Sequence, residues 1–411
     1  MKLVYITNRY PFSYGEPFLD TERKYMPGVE EVYFLPWETF DYTETRNEKV
    51  YENAFKMKSL ISDNWFIKFM KSITDMLNPA FIMEVKTLII EKNFSLYRVR
   101  QILFFMRNKK KCIKEMCEFL KQRGVKKDEK ILFYSYWLNH TAYIANEISK
   151  KYKNAKVISR AHRYDLYQEE NGGYIPFQKR NVEKLHKIYC IAEDGQKYLL
   201  SKYPAFKDKI KISKLGTEDY GKAQYKSRSI LRIVSCSYVV PVKRIYLIVE
   251  ILSRIKDVQI DWTHIGDGVE LEKIKKICEI KLPENVKVNF EGNLTNKEVI
   301  EKYKSEEYHL FINVSESEGI PVSIMEAISF GIPVMATDVG GTKEIVNKHT
   351  GKLLEKSFDI QNAVEFIEKI AHMKEQQYIE LRNSARSFWK NNYFAENNYK
   401  NFYSELFKEN I

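Results

Sequence analysis

Short apolar runs rich in branched and aromatic side chains recur along this chain of 411 residues, with longer, more polar stretches between them. Runs of this length and composition predict buried strands. Six precede residue 217 and five follow residue 229, at residues 3–8, 31–36, 131–137, 155–162, 187–193, 210–216, 231–237, 258–266, 286–292, 309–315 and 333–338. Strands that alternate with helices predict parallel sheets covered by helices, and therefore an α/β fold. The polar stretch 217–229 between the two sets is predicted to be an interdomain linker.

Length and composition agree with a two-domain soluble protein. A single hydrophobic core stops growing at about 250 to 300 residues, so a chain of 411 residues is expected to form two domains. The five cysteines form no Cys-x-x-Cys pair and no cluster with histidine, which favours reduced thiols in a reducing compartment. No signal peptide or long uncharged apolar run is evident. We therefore expect a cytoplasmic protein, or a cytoplasmic one with a surface that faces a membrane.

Residues 309–346 combine a strand, a turn, a helix and a second strand. Gly319 and Pro321 break the apolar run 309–315, and the following helix is predicted to have Pro321 in its first turn and Gly331 at its end. A further strand follows, and Thr342 is a candidate cap for the next helix. In parallel sheets, ligands bind where strands end and helices begin. Two carboxylates of this region flank the predicted helix start, Glu318 on the turn and Glu326 on the helix.

The spacing of Glu318 and Glu326 favours binding over acid–base catalysis at one bond. Eight residues of helix span at most roughly 12 Å, whereas glycosidase carboxylate pairs lie roughly 5 to 9.5 Å apart. A helix N-terminus between them carries about half a positive charge and favours a phosphate. A ligand with hydroxyls at both ends and phosphates between them, a nucleotide diphosphate sugar, fits this arrangement. The alternative is that Glu318 is a solvated turn residue and Glu326 an exposed helix residue.

The same stretch resembles the signature of retaining, nucleotide-sugar-dependent glycosyltransferases of family 4, the "group 1" transferases with the GT-B fold. An isoleucine, Ile320, stands where an aromatic residue is common. The matching residues are Glu318, Gly319, Glu326, Ala327, Gly331, Pro333, Val334, Gly340, Gly341 and Glu344.

The resemblance implies two Rossmann-like domains that face each other across a cleft. Residues 1–218 would form the acceptor-side domain and residues 219–388 the nucleotide-sugar-binding domain. Residues 389–411, aromatic at helical spacing, would form a C-terminal helix that packs back on the first domain.

The resemblance also implies site residues in the first domain. The loop 8–22 corresponds to one that lies over the donor phosphates and the acceptor, so Gly15 and Glu16 are candidate donor-binding residues; the alternative is a plain turn. His162 corresponds to a catalytic histidine that faces the transferred sugar, although Arg163 replaces the usual glycine. A structural role is the alternative for this histidine.

In the second domain, the segment 235–245 corresponds to one that supplies an arginine and a lysine to the diphosphate. Lys243 matches the lysine, whereas Tyr238 stands at the arginine position. Arg244 and Ser237 are candidates to compensate, because the departing diphosphate builds up negative charge. Gly266 and Gly268 match a donor-binding turn, although a lone Gly-x-Gly is weak evidence for a nucleotide.

By resemblance, the enzyme would move a sugar, with retention, from a UDP- or GDP-sugar to a hydroxyl of a glycan or lipid-linked glycan in cell-surface polysaccharide synthesis. Glu318 and the N–H groups of the segment from Gly319 to Val322, which includes Ile320 and Pro321, would hold the sugar, and Glu326 would hold the ribose. Lys243 would stabilise the leaving diphosphate. No Asp-x-Asp stands at a strand end, so neither a metal nor another cofactor is expected.

Two other functions remain open. A sugar-nucleotide 2-epimerase shares the fold and the donor but uses no acceptor, and the Gly-Gly-Thr-Lys-Glu turn and the segment around His162 fit a transferase better. The net charge of +12 also suggests a nucleic-acid-binding protein. No recognition motif of that kind is present, so nucleic acid is not an expected partner.

Residues 86–130 hold fourteen Lys or Arg against five Asp or Glu, a net charge of +9. Aromatic and aliphatic residues alternate with these cations at helical spacing, and residues 64–73 have the same character. The pattern predicts a basic amphipathic helix that binds an anionic membrane surface. Reversing Lys109, Lys110 and Lys111 to Glu is expected to weaken this binding. The alternative is that the apolar face packs inside the first domain.

Overall fold

The protein forms two compact units, each built around one parallel sheet. The computed structural model describes residues 1–12, 16, 18–26, 31–38, 53–56 and 73–408. The first unit comprises Met1–Ile191, Gly195–Ser213 and Phe402–Ile411, and the second comprises Ala192–Asp194 and Lys214–Asn401. Each sheet has six strands with helices between them, which confirms the predicted α/β fold.

The first sheet has the spatial order β2-β1-β3-β4-β5-β6 with every neighbouring pair parallel. Its core is apolar: Val4, Ile6, Ile131 and Phe133 belong to one buried cluster. The strands are β1 (Lys2–Thr7), β2 (Glu31–Pro36), β3 (Lys130–Ser135), β4 (Asn154–Ala161), β5 (Lys187–Cys190) and β6 (Ile210–Ile212).

Eight helices that lie wholly within the described residues accompany this sheet. They are α1 (Phe18–Lys24), α2 (Pro79–Ile90), α3 (Leu96–Met106), α4 (Lys109–Gln122), α5 (His140–Ser149), α6 (Arg163–Leu166), α7 (Gln178–Lys184) and α8 (Glu193–Lys202). Short 3₁₀ turns occupy Glu169–Asn171 and Pro204–Lys209.

The basic segment 86–130 is not a single helix. It contains the end of α2, all of α3 and all of α4. Ser95 caps α3 by accepting from the Arg98 N–H at 3.2 Å, and Asn108 takes a left-handed conformation before α4. The apolar face of α4 packs into the core of the first unit, because Cys112, Met116 and Leu120 are buried there. For the apolar face of α4, the packing alternative therefore holds, and membrane binding by the basic segment stays a prediction. The similar segment 64–73 lies outside the described residues except for Ile73.

The second sheet has the spatial order β12-β11-β10-β7-β8-β9 and is also parallel throughout. Its last strand was not among those predicted. The strands are β7 (Leu231–Cys236), β8 (Ile260–Ile265), β9 (Val286–Phe290), β10 (Leu310–Asn313), β11 (Val334–Thr337) and β12 (Gly351–Leu354).

The helices that follow residue 240 are α9 (Ile245–Leu252), α10 (Leu271–Lys281), α11 (Asn296–Ser305), α12 (Val322–Ser329), α13 (Thr342–Ile345), α14 (Ile360–His372), α15 (Glu375–Asn392) and α16 (Ala395–Lys408). A 3₁₀ turn at Pro241–Lys243 precedes α9.

Two helix boundaries differ by one residue from the predicted ones. Pro321 stands at the N-cap of α12 rather than in its first turn, and Thr342 is the first residue of α13 rather than its cap. Gly331 follows the end of α12 with φ +76°, as a helix-terminating glycine does.

In each sheet, the side on which successive strands are added along the sequence switches once. In the first sheet, β1 leads to β2 on one side while β3 to β6 extend on the other. In the second, β7 to β9 extend on one side and β10 to β12 on the other. The crevice beyond the carboxyl ends of the two strands at such a switch point is where open α/β sheets bind ligands. The candidate strands are β1 and β3 in the first unit and β7 and β10 in the second.

The predicted linker 217–229 lies in the second unit and packs against its last helices. The Trp389 indole N–H donates to the Thr217 hydroxyl at 2.8 Å. Thr217 also bonds through its backbone to Tyr393 and Ala395, at the break between α15 and α16. The residues after 388 therefore form two helical segments rather than one.

The end of α16 belongs to the first unit and contacts a buried ion pair. Glu22 and Arg160 are fully buried, with a carboxylate oxygen 3.5 Å from the guanidinium. The Tyr403 hydroxyl donates to the other carboxylate oxygen at 3.0 Å, and the Phe402 ring lies 4.7 Å from the Arg160 guanidinium carbon. Burial raises the pKa of Glu22, while Arg160 and Tyr403 favour its ionised form.

Among the described helices, none combines the length and apolarity needed to cross a bilayer.

We expect Tyr403→Phe to lower the free energy of unfolding by about 1 to 3 kcal/mol, because a buried carboxylate loses a hydrogen-bond donor. Urea unfolding of the variant and the wild type measures this difference. Tyr164→Phe is the control, since the Tyr164 side chain is 68% exposed. Equal stability of Tyr403→Phe and wild type would contradict the assigned role.

Candidate active site

Lys243 and Glu318 meet at the switch point of the second sheet. Lys243 ends the turn that follows β7, and Glu318 lies in the loop that follows β10. The Lys243 Nζ donates to the Glu318 Oε1 at 2.6 Å, and the two side chains are only 20% and 11% exposed. The Asn313 amide donates to the same oxygen at 3.2 Å. The structure thus brings two of the predicted catalytic residues into direct contact.

The double glycine after β11 shapes the loop that carries Glu318. Gly340 has φ +53°, and a Cβ there would lie 1.9 Å from the Glu318 carbonyl oxygen. A Cβ on Gly341 would lie 2.7 Å from the Gly319 carbonyl oxygen, which accepts the Gly341 N–H at 2.7 Å. Side chains at these two positions would push the loop away. The Gly-Gly turn therefore fixes the backbone of Glu318 and Gly319.

Three backbone donors are available at the start of α12. The N–H groups of Gly319, Ile320 and Val322 donate to no other described residue. Pro321 has no N–H, so the predicted set of four donors is reduced to three. The Ile320 side chain is buried, with 6% exposure. Free N–H groups at a helix start favour an anion or an electronegative hydroxyl.

Glu326 lies in the second turn of α12 and is 8% exposed. The Asn296 amide, at the start of α11, donates to its Oε1 at 2.6 Å. Burial raises the pKa of Glu326 to about 7, and the Asn296 hydrogen bond opposes that rise. Glu326 is therefore not the solvated helix residue of the alternative interpretation. With a pKa of about 7, the Glu326 carboxyl group changes between its protonated and ionised forms near neutral pH.

Arg244 has a structural use that the sequence did not indicate. Its backbone is left-handed, with φ +49°. Its guanidinium donates to the carbonyl oxygens of Val314 at 2.7 Å and of Ser315 and Lys356 at 3.0 Å. These bonds hold the start of the loop that carries Glu318. The guanidinium is therefore engaged with the backbone, and Lys243 is the better candidate for a diphosphate contact.

Gly266 and Gly268 pack against the loop that follows β7. A Cβ on Gly266 would lie 1.9 Å from the Ser237 carbonyl oxygen, and one on Gly268 would lie 2.4 Å from the Val239 carbonyl oxygen. The Ser237 N–H donates to the Ile265 carbonyl oxygen at 3.0 Å. Close backbone approach thus explains both glycines without a ligand. Donor binding by Ser237, Gly266 and Gly268 stays a prediction.

In the first unit, Glu16 orders the loop that follows β1. Its two oxygens accept the N–H groups of Asn8, Arg9 and Tyr10 at 2.8 to 3.0 Å and the Trp137 indole N–H at 2.6 Å. Four donors leave this carboxylate little capacity for a ligand. Trp137 follows β3, so this contact stands at the switch point of the first sheet. The other candidate in this loop, Gly15, lies outside the described residues.

His162 lies beside the same tryptophan. Its ring centroid is 4.4 Å from that of Trp137 and 5.0 Å from that of Tyr136. Neither ring nitrogen has a hydrogen-bond partner among the described residues. Burial lowers the pKa of His162 well below its ordinary value, so the imidazole is neutral. A buried imidazole with two open nitrogens has capacity for a further hydrogen bond.

Asp165 holds the backbone around His162. Its carboxylate accepts the N–H of His162 at 2.6 Å and also the N–H of Leu138. Burial raises the pKa of Asp165 to about 7, although both backbone bonds favour its ionised form. Asp165 therefore ties the loop after β4 to the loop after β3.

Three residues that contact the predicted site residues were not predicted from the sequence. Trp137 ends an apolar strand run, where an aromatic residue is usually core. Asn313 ends β10, and a polar residue at the end of a buried strand was a usable signal. Asn296 lies near the start of a helix, a common place for asparagine, so nothing local distinguished it. Within the described ranges, no three His, Cys, Asp or Glu side chains are grouped to hold a metal ion.

Comparison with known proteins agrees with the architecture. Residues 227–388 match the family model for glycosyl transferases group 1. The O-antigen biosynthesis glycosyltransferase WbnH of Escherichia coli is 36% identical over 95 residues, which cover 23% of this chain and 25% of WbnH. The GtfA subunit of a Streptococcus parasanguinis UDP-N-acetylglucosamine–peptide N-acetylglucosaminyltransferase is 25% identical over 50% of this chain and 42% of its own length. The chain thus spans less than half the length of these relatives.

Solved structures share the whole fold at low sequence identity. The lipopolysaccharide outer core galactosyltransferase WaaB aligns over all of both chains with a TM-score of 0.67 and 13% identity. Anabaena HepE, solved in complex with UDP and glucose, aligns over 99% of this chain and 100% of its own with a TM-score of 0.65 and 13% identity. The family match covers residues 227–388, and the structural likenesses show that the chain has the GT-B fold.

Proposed function

We propose that this protein is a retaining glycosyltransferase that moves a sugar from a UDP- or GDP-sugar to a hydroxyl of a glycan or lipid-linked glycan in bacterial surface-polysaccharide synthesis. The observation that carries the proposal is the contact of Lys243 with Glu318 at the switch point of the second sheet. The Lys243 ammonium is a cation, and the Glu318 carboxylate can accept hydrogen bonds from hydroxyl groups. Both lie beside the N–H groups of Gly319, Ile320 and Val322, which donate to no other described residue. These are the groups that a sugar diphosphate needs.

The donor would bind by separating the ion pair. A diphosphate carries negative charge, so it would take the Lys243 ammonium away from Glu318 and bind the N–H groups at the start of α12. The released Glu318 carboxylate would then accept hydroxyl groups of the transferred sugar. As the sugar leaves, charge grows on the diphosphate, and Lys243 stabilises that charge without a metal ion. We propose that neither a metal nor a further cofactor takes part.

Glu326 would bind the other end of the donor. A carboxylate can accept hydrogen bonds from the two neighbouring ribose hydroxyls, and the Asn296 bond orients it. UDP is the first nucleotide to test, because HepE has been solved with UDP-glucose. GDP is the second, because a Mycobacterium tuberculosis relative, 26% identical over 122 residues, is a GDP-mannose-dependent mannosyltransferase.

His162 stays a predicted sugar contact. Since burial keeps its pKa low, it would act as a neutral hydrogen-bonding group rather than as a charge. Glu16 would contribute by holding the loop after β1 rather than by contacting the donor. A cytoplasmic location also stays a proposal, supported by five cysteines that are all free thiols. A sugar-nucleotide 2-epimerase would convert the donor without any acceptor, so acceptor dependence separates that alternative from the proposal.

The two glutamates should differ in what they bind. We expect Glu318→Ala to retain UDP affinity and to abolish sugar transfer, because its partner is the sugar. Glu326→Ala should weaken UDP itself by about 1.5 to 3 kcal/mol, the contribution of hydrogen bonds to a charged acceptor. Titration calorimetry with UDP measures both. Glu316→Ala is the control, since this exposed carboxylate in the same loop faces Lys356. Equal losses of UDP affinity in the Glu318 and Glu326 variants would refute the two-ended arrangement.

Donor affinity should depend on pH through Glu326. With its pKa at about 7, the carboxyl is mostly protonated at about pH 6 and mostly ionised at about pH 8, so UDP-glucose should bind about tenfold more tightly at the higher pH. UDP-glucose is the right probe because, unlike UDP, it has no terminal phosphate that titrates near pH 6. Calorimetry at the two pH values tests this, and Glu326→Gln should remove the dependence. The same dependence in Glu326→Gln would assign it to another group.

The raised pKa also predicts an effect on the empty protein. A raised pKa in the folded state means that the contribution of Glu326 to stability is fully present below pH 4.5, its ordinary value, and is lost as the pH rises through about 7. Glu326→Gln should therefore gain thermal stability relative to wild type at about pH 8 and little at about pH 5. Thermal unfolding at both pH values provides the measurement. A gain that is the same at both values would be inconsistent with a titrating Glu326.

Lys243→Ala should lower kcat by about 100- to 1000-fold, the usual cost of losing one group that stabilises transition-state charge. Transfer from UDP-sugar should continue in EDTA, because Lys243 and the helix start carry the diphosphate charge. A radiochemical transfer assay with and without EDTA tests both statements. Loss of wild-type activity on chelation, restored by Mg²⁺ or Mn²⁺, would contradict the metal-free mechanism.

A further inference from the structure

Exposed large apolar side chains are concentrated in one stretch of the first unit. Eighteen large apolar residues of the described chain are exposed, and eleven of them fall within residues 73–104. Single exposed apolar residues are ordinary on protein surfaces, whereas a concentration marks an interaction site. The eleven are Ile73, Met76, Leu77, Ile82, Met83, Ile89, Ile90, Phe94, Leu96, Tyr97 and Phe104.

The packing of α2 and α3 explains why these side chains face solvent. Phe81 and Leu88 of α2 and Ile102 and Phe105 of α3 are buried in one core cluster. Each helix therefore buries one face and exposes the opposite one. The exposed face of α2 carries Ile82, Met83, Lys86, Ile89 and Ile90. That of α3 carries Tyr97, Arg100 and Phe104, and the exposed Arg107 directly follows the helix. We call these two faces, with the connecting residues 91–95, the α2–α3 surface.

The exposed charge on and beside this surface is predominantly positive. Between residues 73 and 114 the exposed charged side chains are seven cations and one carboxylate, Glu91, and Glu91 pairs with Lys179 at 2.9 Å. The seven cations are Lys86, Lys92, Arg100, Arg107, Lys110, Lys111 and Lys114. No ion pair forms between Lys86, Lys92, Arg100 or Arg107 and any residue that the structure describes.

A basic cleft lies next to the ends of α2 and α3. It has a volume of about 480 Å³, and Asn78 and Met106 are part of its wall. Lys110, Lys114, Lys150 and Lys151 also line it, together with the carboxylates Asp75 and Glu147. The excess of cations in the cleft extends the positive charge of the α2–α3 surface.

We propose that the α2–α3 surface docks the protein on an anionic lipid bilayer. Its apolar side chains would enter the interface between headgroups and acyl chains, and the surrounding cations would contact lipid phosphates, as for amphipathic helices on membranes. A symmetric dimer through the same face is disfavoured, because two copies would bring like charges together. The inference goes beyond sugar transfer, and its test needs no nucleotide, so it can fail independently of the proposed function.

The structure also corrects the charge reversal suggested by the sequence. Lys109 is 3% exposed, and its ammonium lies 4.5 and 4.4 Å from the ring centroids of Trp37 and Phe105. Burial lowers the pKa of Lys109 to about 7. Lys109→Glu would bury a carboxylate and disrupt the fold, so Lys109 cannot report on membrane binding. The test must use exposed cations of the α2–α3 surface.

Sedimentation with phosphatidylcholine vesicles, with and without phosphatidylglycerol, tests the proposal. Wild type should sediment with the anionic vesicles at low salt, less at high salt, and little with phosphatidylcholine alone. Each cation contributes about fivefold to binding, so combining Lys86→Glu, Lys92→Glu and Arg100→Glu should weaken binding at least about 100-fold. The matched control combines Lys126→Glu, Lys127→Glu and Lys130→Glu, which are exposed lysines of the same unit outside the surface and change the net charge equally.

A second pair of variants tests the apolar part. Ile89→Ser with Phe104→Ser should weaken binding to anionic vesicles, whereas Val269→Ser with Ile280→Ser, at apolar residues elsewhere that are even more exposed, should not. All variants should unfold at the wild-type temperature. Failure of wild type to bind anionic vesicles at low salt would overturn the proposal, as would equal loss in the lysine control. Light scattering that shows a wild-type dimer, dissociated by Ile89→Ser with Phe104→Ser, would assign the surface to self-association instead.

Discussion

The ion pair of Lys243 with Glu318 depends on the point where the second sheet reverses its direction of growth. β7 and β10 are neighbours in the sheet although two strands lie between them in sequence. The loops that follow them therefore meet, and the Glu316 N–H donates to the Val242 carbonyl oxygen at 2.7 Å beside the ion pair. Arg244 and the Gly340–Gly341 turn hold the same loop from two other directions. The topology thus creates the site, and the surrounding backbone contacts make it rigid.

The first sheet has an equivalent contact with a different chemical character. There, Glu16 and Trp137 meet beyond β1 and β3, but four N–H donors satisfy the carboxylate. At the second switch point, Glu318 has a cation and one amide, and the helix start beside it keeps free N–H groups. Unsatisfied donors favour an incoming anion. This contrast is the physical reason for proposing that the second unit holds the diphosphate, while Glu16 acts by ordering its own loop.

Strands with long apolar runs, such as 131–137 and 309–315, were predictable from sequence because burial on both faces leaves a continuous apolar signal. β12 was not, because its four residues include only two large apolar side chains and its first residue, Gly351, is needed for close approach to Val334. The turn carrying Glu318 was predictable from local residues. The structural use of Arg244, the four donors to Glu16 and the Asn296–Glu326 bond were not, because each joins segments that only the fold brings together. The helices of 86–130 show the same limit: spacing indicated amphipathic helices but not which faces the core would cover.

The most direct test of this account is a crystal structure of the protein with UDP-glucose. The account predicts that the diphosphate lies within hydrogen-bond distance of the Lys243 Nζ and of the N–H groups at the start of α12. It also predicts that Glu318 has turned from Lys243 to the sugar hydroxyls and that Glu326 contacts the ribose. A diphosphate bound elsewhere, with the contact between Lys243 and Glu318 intact, would contradict it.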